Sequence, residues 1–464
     1  MPYQNIVGGH EVASRLSHST AAVKAISDTR TFYVPAEVLR DVEAIRKSIR
    51  PRSDFVRDDG ADIDAALAID GSYMVEPIRD GLPSVQYGFA QAAAAFVDLG
   101  VMETQRAERF IDPSEIERAV ATALVTLDLP AAGAYTRQGI DIQTSWREAI
   151  DGVFRTKLVE VNRLNQTLLD LLFLLHGRPD APAQTVPAGC PADGCGVDLE
   201  VPRAGMDCSN CSARVYPTDV LRIHEEVSED GTNQSALGRL MSVVELLVLV
   251  GLATLLWNES RNEVFSRTLF IVDGPLAVYG PPAKLRARAL SYFQAMAAAT
   301  QGLAPFICGI EKSGLMVDYA RQLARHDVLK PGDLLVCDGP VIERIANTKD
   351  VLRYGKETYW GRKFVYRALD GRVVVPTVMP PVGAPYDSDG GLPEPEHYPT
   401  LAAILDVIDR TGSSMYVDGI IPVAAAHGKA AFPIGVGTDV LRLVARTRLG
   451  LDTSTPRPDV AWGP

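Results

Sequence analysis

Two aspartates in this 464-residue chain share a local context in which a carboxylate can do chemistry. Asp70 follows the apolar run in AIDGSY, and Asp273 follows the one in IVDGPL. A short apolar run bounded by glycine reads as a buried strand. A carboxylate at its end sits where a sheet meets solvent, which is where open α/β sheets hold their ligands. The glycine that follows lets the backbone turn sharply, or lets a metal or phosphate approach closely. Two such carboxylates on adjacent strands repel each other at neutral pH. A divalent cation relieves that repulsion, and oxygen donors suit Mg²⁺ or Mn²⁺. Asp-Gly is also an ordinary turn pair. It recurs here at Asp80-Gly81, Asp338-Gly339 and Asp370-Gly371. Asp338, in DLLVCDGP, shares the strand-end context and is a third candidate acid.

Glu245 is unusual for a different reason. It lies in VVELLVLVGLATLLW, a helix apolar nearly all round. Acids are seldom buried without a partner, so a metal or a lysine such as Lys312 is expected beside it. The alternative is that Glu245 emerges at the helix edge and meets water or an arginine.

The cysteines carry the most specific local pattern. Cys190 and Cys195 enclose four residues, and Cys208 and Cys211 enclose two. CPADGC and CSNC are both turn-like, with short strands expected at Val197–Val201 and Ala213–Tyr216. Two such knuckles bring four thiolates into a tetrahedron around Zn²⁺. An Fe–S cluster, free thiols or disulfides are the alternatives. A site closed by four cysteines is structural, folding a module too small for its own core. The surrounding acids Asp193, Asp198, Glu200 and Asp207 favour protein contact over DNA for this ribbon. Cys308 and Cys337 lie in apolar strand-like runs. This cysteine usage, with no export signal at the start, fits a reducing, cytoplasmic setting.

The elements that must position these groups alternate between strand and helix. Strands are expected at Ala65–Ile69, Pro83–Val97, Thr268–Val272, Pro305–Ile310 and Asp333–Cys337, with a hairpin over Phe364–Val378 turned on Asp370-Gly371. Helices are expected over Val38–Arg52, Ser145–Leu175, Ser235–Asn258, Lys284–Thr300, Pro399–Arg410 and Thr438–Arg448. The Leu246–Trp257 run is too short to span a bilayer as a helix and reads as a core segment, so no membrane association is expected. Alternating elements with hairpins imply an α/β core with a mixed sheet. Hydrophobic residues make up 47% of the chain and charged residues 22%, the ordinary globular balance. The formal net charge of −12 excludes a general polyanion binder. DNA would have to be handled through metal ions, a local basic channel or a partner.

The motifs in order, AIDGSY, VVELL, IVDGPL, ICGIEKSG, HYPTL and AAAHGKA, resemble the NurA nuclease family over roughly 65–100 and 235–445. The resemblance implies an RNase H-like mixed sheet flanked by helices, with a helical segment and a four-cysteine zinc ribbon as an insertion. It implies five regions: N-terminal helices over 1–60, a first core part over 61–140, the insertion over 141–232, a second core part over 233–450, and a tail over 451–464. It implies that Asp70, Glu245 and Asp273 ligate catalytic Mn²⁺ or Mg²⁺, that Lys312 contacts a phosphate, and that His427 lies near the site as acid, ligand or phosphate contact. Tyr398 falls in the corresponding late Tyr-Pro motif. Without that resemblance, Lys312 reads as a solvated turn residue and His427 as a core imidazole. The implied activity is metal-dependent hydrolysis of DNA phosphodiester bonds. The chain would act as a homodimer with a hexameric HerA-type ATPase, in DNA-end processing or anti-phage defence. Two other readings stand beside it: an inactive scaffold of that ATPase, and a zinc-ribbon interaction protein with a phosphate-ligand core. The chain has no GxxxxGK[ST] loop to support the last.

Overall fold

Among the described residues, the seven strands expected outside the cysteine region join two that were not expected, Ile49–Pro51 and Val120–Ala132, in one sheet of nine. A computed structural model describes residues 42–55, 63–78, 84–107, 120–161, 164–260, 263–300, 305–346, 357–383, 394–412, 419–431 and 436–451. In chain order the elements begin with α1 (Val42–Lys47), β1 (Ile49–Pro51), β2 (Ala65–Pro77), β3 (Gln86–Asp98), α2 (Leu99–Ala107) and β4 (Val120–Ala132). Next come α3 (Ile142–Thr156), β5 (Leu158–Val161), β6 (Leu164–Thr167) and α4 (Leu168–His176). The cysteine region holds β7 (Thr185–Gly189), β8 (Asp198–Pro202), β9 (Met206–Asp207) and β10 (Arg214–Val215). It is followed by α5 (Gln234–Glu259), β11 (Thr268–Asp273), α6 (Leu285–Ala299), β12 (Phe306–Glu311), α7 (Leu315–Arg325), β13 (Asp333–Val336) and α8 (Gly339–Ala346). The chain continues through β14 (Arg362–Arg367), β15 (Val373–Val378), α9 (Leu401–Arg410), α10 (Ile421–Ala430) and α11 (Val436–Arg448).

The sheet runs β1-β13-β14-β15-β12-β11-β2-β3-β4. β2, β3 and β4 form an antiparallel meander, and β11 and β12 continue from β2 in parallel. Three antiparallel strands followed by two parallel to the first is the RNase H-like order. Four further strands extend it antiparallel beyond β12. The expected mixed α/β architecture is thus found.

Helices cover both faces. Strand side chains alternate between faces, and the two sides of β2 meet different helices. Gly71 lies against Met241 and Glu245 of α5, and Gly238 of α5 lies against Tyr73. Ser72, on the other side, hydrogen-bonds to α10. α5 is long and apolar enough to cross a membrane by composition, but 78% of its apolar window is buried in the protein. It packs on β2, β3 and α4 as a core helix. Because it is apolar all round, it is covered all round.

Two expected helices are shorter than the apolar spacing implied. Within Val38–Arg52, Ile49–Pro51 pairs with β13 at the sheet edge, a position that tolerates proline. Within Ser145–Leu175, the β5–β6 hairpin intervenes. There the chain restarts at a capping box: the Thr167 hydroxyl accepts the Asp170 amide at 3.1 Å, and the Asp170 carboxylate accepts the Thr167 amide at 2.8 Å. The Asp80-Gly81 turn lies outside the described residues. The Asp370-Gly371 turn is present, with Gly371 at φ 93°.

α3 is held by a buried ion pair. Arg147 grips Asp219 with two bonds of 2.7 and 2.8 Å, and the Asp219 side chain is only 1% exposed. Removing one partner of such a pair strands the other charge, at a cost of about 3–5 kcal/mol. Arg147→Ala is therefore expected to lower unfolding stability by about that amount in denaturant titration. Arg203→Ala, which breaks a solvent-exposed pair with Asp170, should cost at most about 1 kcal/mol. Equal effects would contradict the assignment.

Candidate metal centres

The two aspartates meet, but not as two strand ends. β2 continues unbroken from Ala65 to Pro77, so Asp70 is interior to its strand. β11 stops at Asp273. Their register pairs Val272 with Ile69, which sets Asp273 level with Asp70 and on the same face. The site is a step in the sheet, where β11 ends and the β2–β3 hairpin runs on. The sharp turn expected after an Asp-Gly pair is real at Gly274, with φ 105° and its amide donating to the Ile310 carbonyl at 2.9 Å.

Gly71 acts through its missing side chain. A Cβ there would stand 2.1 Å from the Met241 sulfur and 2.9 Å from Glu245 Oε1. That open space lets Glu245 reach the aspartates from the α5 side. Glu245 is buried, as its apolar surroundings require. Burial raises its carboxyl well above the usual range, and the charges of Asp70 and Asp273 raise it further. Burial, then Asp273, also raises Asp70, against hydrogen bonds from His427 and the Gly71 amide.

Two basic groups flank the acids. Lys312 Nζ donates to Asp273 Oδ2 at 2.9 Å. Arg321 donates to the Lys312 carbonyl at 3.1 Å and steadies that loop. His427 Nδ1 lies 2.6 Å from Asp70 Oδ2. Ligand atoms of Asp70, Asp273 and His427 lie within 4.8 Å of one another. Glu245 is outside that tight set but adjoins it, close enough for both aspartates to shift it. Five of the six residues singled out by the motif order therefore converge. A donor set of mutually repelling carboxylates and an imidazole fits a divalent cation.

Two other sequence candidates lie elsewhere. Asp338 accepts from the Ser48 hydroxyl and, at 3.3 Å, from the Val341 amide, capping α8. Three strands separate β13 from β11, so Asp338 is not a third acid of the centre. Tyr398 is in the core, edge-on to Phe364 with centroids 5.1 Å apart. α10, the helix that bears His427, was not among the expected helices. Its signal was available: Pro422 in the first turn, followed by alanines.

The four clustered cysteines also converge. The β7–β8 hairpin carries Cys190 and Cys195 at its tip, and the β9–β10 hairpin carries Cys208 and Cys211. The Cys190 amide donates to Val197 and the Cys208 amide to Ala213, each at 2.8 Å. Gly194, Gly196 and Ser212 take positive φ to close the loops. Sγ–Sγ separations of 3.5 Å (Cys190–Cys211) and 3.7 Å (Cys195–Cys208) match the ~3.8 Å edge of a tetrahedron with ~2.3 Å metal–sulfur bonds. The Asn210 side-chain amide donates to Cys195, and this bond, with hydrogen bonds from the neighbouring thiols and the backbone, draws the Cys195 thiol down to about 6.

No protein-family model matches the sequence, and no curated protein matches it. Among solved structures, the chain is similar to the NurA nuclease from Sulfolobus solfataricus at 11% identity and TM-score 0.36, over 96% of this chain and 100% of that one. It is similar to a second NurA structure at 10% identity and TM-score 0.31, over 94% and 98%. A likeness at this level concerns the course of the chain, and the chemistry rests on the side chains above.

The raised carboxyls have a consequence without metal. Asp70 and Glu245 bind protons more tightly in the folded chain than in the unfolded one. The stability this contributes is full below the ordinary carboxylate range and is lost as pH rises through the raised folded values. In chelator at neutral pH, Glu245→Gln should therefore be more stable than the parent, read as a higher unfolding midpoint. An unfolding midpoint equal to or below the parent's would refute the repulsion.

Proposed function

We propose that this chain is a metal-dependent deoxyribonuclease that hydrolyses phosphodiester bonds at the step between β2 and β11. One observation carries the reading: Asp70, Asp273 and Glu245 gather at that step, with Lys312 and His427 on its flanks. When bound, divalent Mn²⁺ or Mg²⁺ supplies an activated water and stabilises the leaving oxygen.

The chain's own residues do the rest. Asp70 and Asp273 hold the ions, and Glu245 completes the set from the α5 side. Lys312 sets positive charge beside Asp273, where a phosphodiester gathers negative charge during cleavage. With Nδ1 engaged by Asp70, Nε2 is the His427 atom left to hold a proton or pass it to the leaving oxygen.

The four cysteines hold a structural Zn²⁺, since four thiolates leave no open position for substrate. The formal charge of −12 disfavours unaided capture of DNA. A hexameric HerA-type ATPase that delivers DNA to a homodimer of this chain, in the cytoplasm, suits that charge. DNA-end processing or phage defence is the setting that such a motor implies.

The tests separate activity from scaffold. Purified protein with Mn²⁺ is expected to degrade linear DNA, alone or with the ATPase. Asp70→Asn and Asp273→Asn should each lower the rate by at least ~100- to 1,000-fold, and Lys312→Ala by a similar order. Undiminished cleavage by Asp70→Asn would remove the site, and an inactive parent under all these conditions would favour the scaffold. Separately, Cys208→Ser should abolish zinc binding, measured by metal analysis, and lower the unfolding midpoint. A variant that keeps its zinc or its stability would contradict the structural role.

A further inference from the structure

Apart from its bond to Asp70, the His427 ring has little to hold it in place. Its side chain is 62% exposed, so packing does not fix the imidazole. Its position follows from how α10 is seated. Three residues later on the same helix is Ala430, the last residue of α10 and fully buried. Carbonyls in a helix's final turn lack partners within the helix and must find them elsewhere. The His427 carbonyl is satisfied by the Ala431 amide at 2.9 Å. The Ala430 carbonyl takes two donors from the sheet, the Ser72 hydroxyl and the Gln91 side-chain amide.

Those two donors form a matched pair. Ser72 and Gln91 sit directly opposite each other on β2 and β3, so their side chains share a face. Ser72 is two residues from Asp70 on that same face of the same strand. One rigid ladder therefore carries both Asp70 and the two groups that grip the end of α10. Gln91 is 8% exposed, and a buried amide of this kind is costly to leave unsatisfied.

We infer that Ser72 and Gln91 are positioning residues: together they clamp the Ala430 carbonyl and so fix the rotation and axial position of α10 that place His427 Nδ1 on Asp70. Neither touches the reacting atoms. Ser72 is thus the third functional member of the Asp-Gly-Ser run, after the carboxylate of Asp70 and the open space of Gly71. The inference rests on the nuclease reading only for its rate measurement.

A double-mutant cycle tests it. Ser72→Ala/Gln91→Leu should lower kcat by ~10- to 100-fold, the scale of a small misplacement of a catalytic group. His427→Ala should cause a comparable fall. Combined with His427→Ala, the clamp variant should cause no further loss, because both act through one imidazole. Ser72→Thr, which keeps the hydroxyl, should retain most of the rate that Ser72→Ala loses. Hydrogen exchange gives an arm independent of activity: amides of 424–431 should exchange faster in the clamp variant, with β2 and β3 unchanged. Losses that multiply in the His427→Ala background, or unchanged exchange in α10, would overturn the clamp. If the parent cleaves no DNA, the nuclease reading fails by itself and the exchange arm still decides the clamp.

Discussion

The centre depends on one register. β11 lies parallel to β2 with Val272 beside Ile69 and ends one residue later. That brings Asp273 alongside Asp70 at the point where β11 ceases to cover β2's flank. A shift of one residue would send one of the two carboxylates to the opposite face. Everything else at the site responds to the repulsion this register creates. Lys312 neutralises Asp273, His427 engages Asp70, and Glu245 is pushed toward its protonated state by burial and by both neighbours. The surrounding core enforces the arrangement. Ile69, Phe270 and Ile271 on the strands and Leu249 on α5 are fully buried, so the backbone cannot relax to separate the charges.

Glycine enables this at two points, for different reasons. At Gly274 the backbone needs a positive φ to leave the sheet just after Asp273. At Gly71 the strand continues, and what matters is the volume a side chain would have taken from Glu245 and Met241. The same dipeptide therefore ends one strand and opens the flank of another. α5 can exploit that opening because Gly238 also lets it lie close against Tyr73.

The cysteine hairpins are less separate than a self-contained ribbon. Val186, Ala188, Val201 and Val215 belong to the same buried cluster as Trp146 of α3, Leu171 of α4 and Leu247 of α5. The thiols close the far ends of hairpins whose inner sides already share the main core. Arg147 ties the neighbouring segment to α3 through Asp219, with Tyr216 under its guanidinium at 5.3 Å. Convergence of the four thiols at the tips and burial at the roots together bring order to hairpins whose strands are only two to five residues long.

Much of this was legible in the residues themselves. Apolar runs bounded by glycine locate β2, β11 and β12, because burial on both faces demands an uninterrupted apolar strand. The spacing of Cys190, Cys195, Cys208 and Cys211 specifies two knuckles, because short loops bring those thiols together locally. Glu245 stands out because an acid in an all-apolar helix requires an explanation. Other features were not local, and only the tertiary structure decided them. That Asp70 is interior to its strand depends on where the neighbouring strand stops. That Asp338 also takes the Ser48 hydroxyl, 290 residues away, depends on β1 pairing with β13. His427 reaches Asp70 across 357 positions, through a helix seated on a cross-strand pair. Spacing along the chain encodes the period of an element, whereas strand order, register and the facing of one helix on another are set by long-range packing.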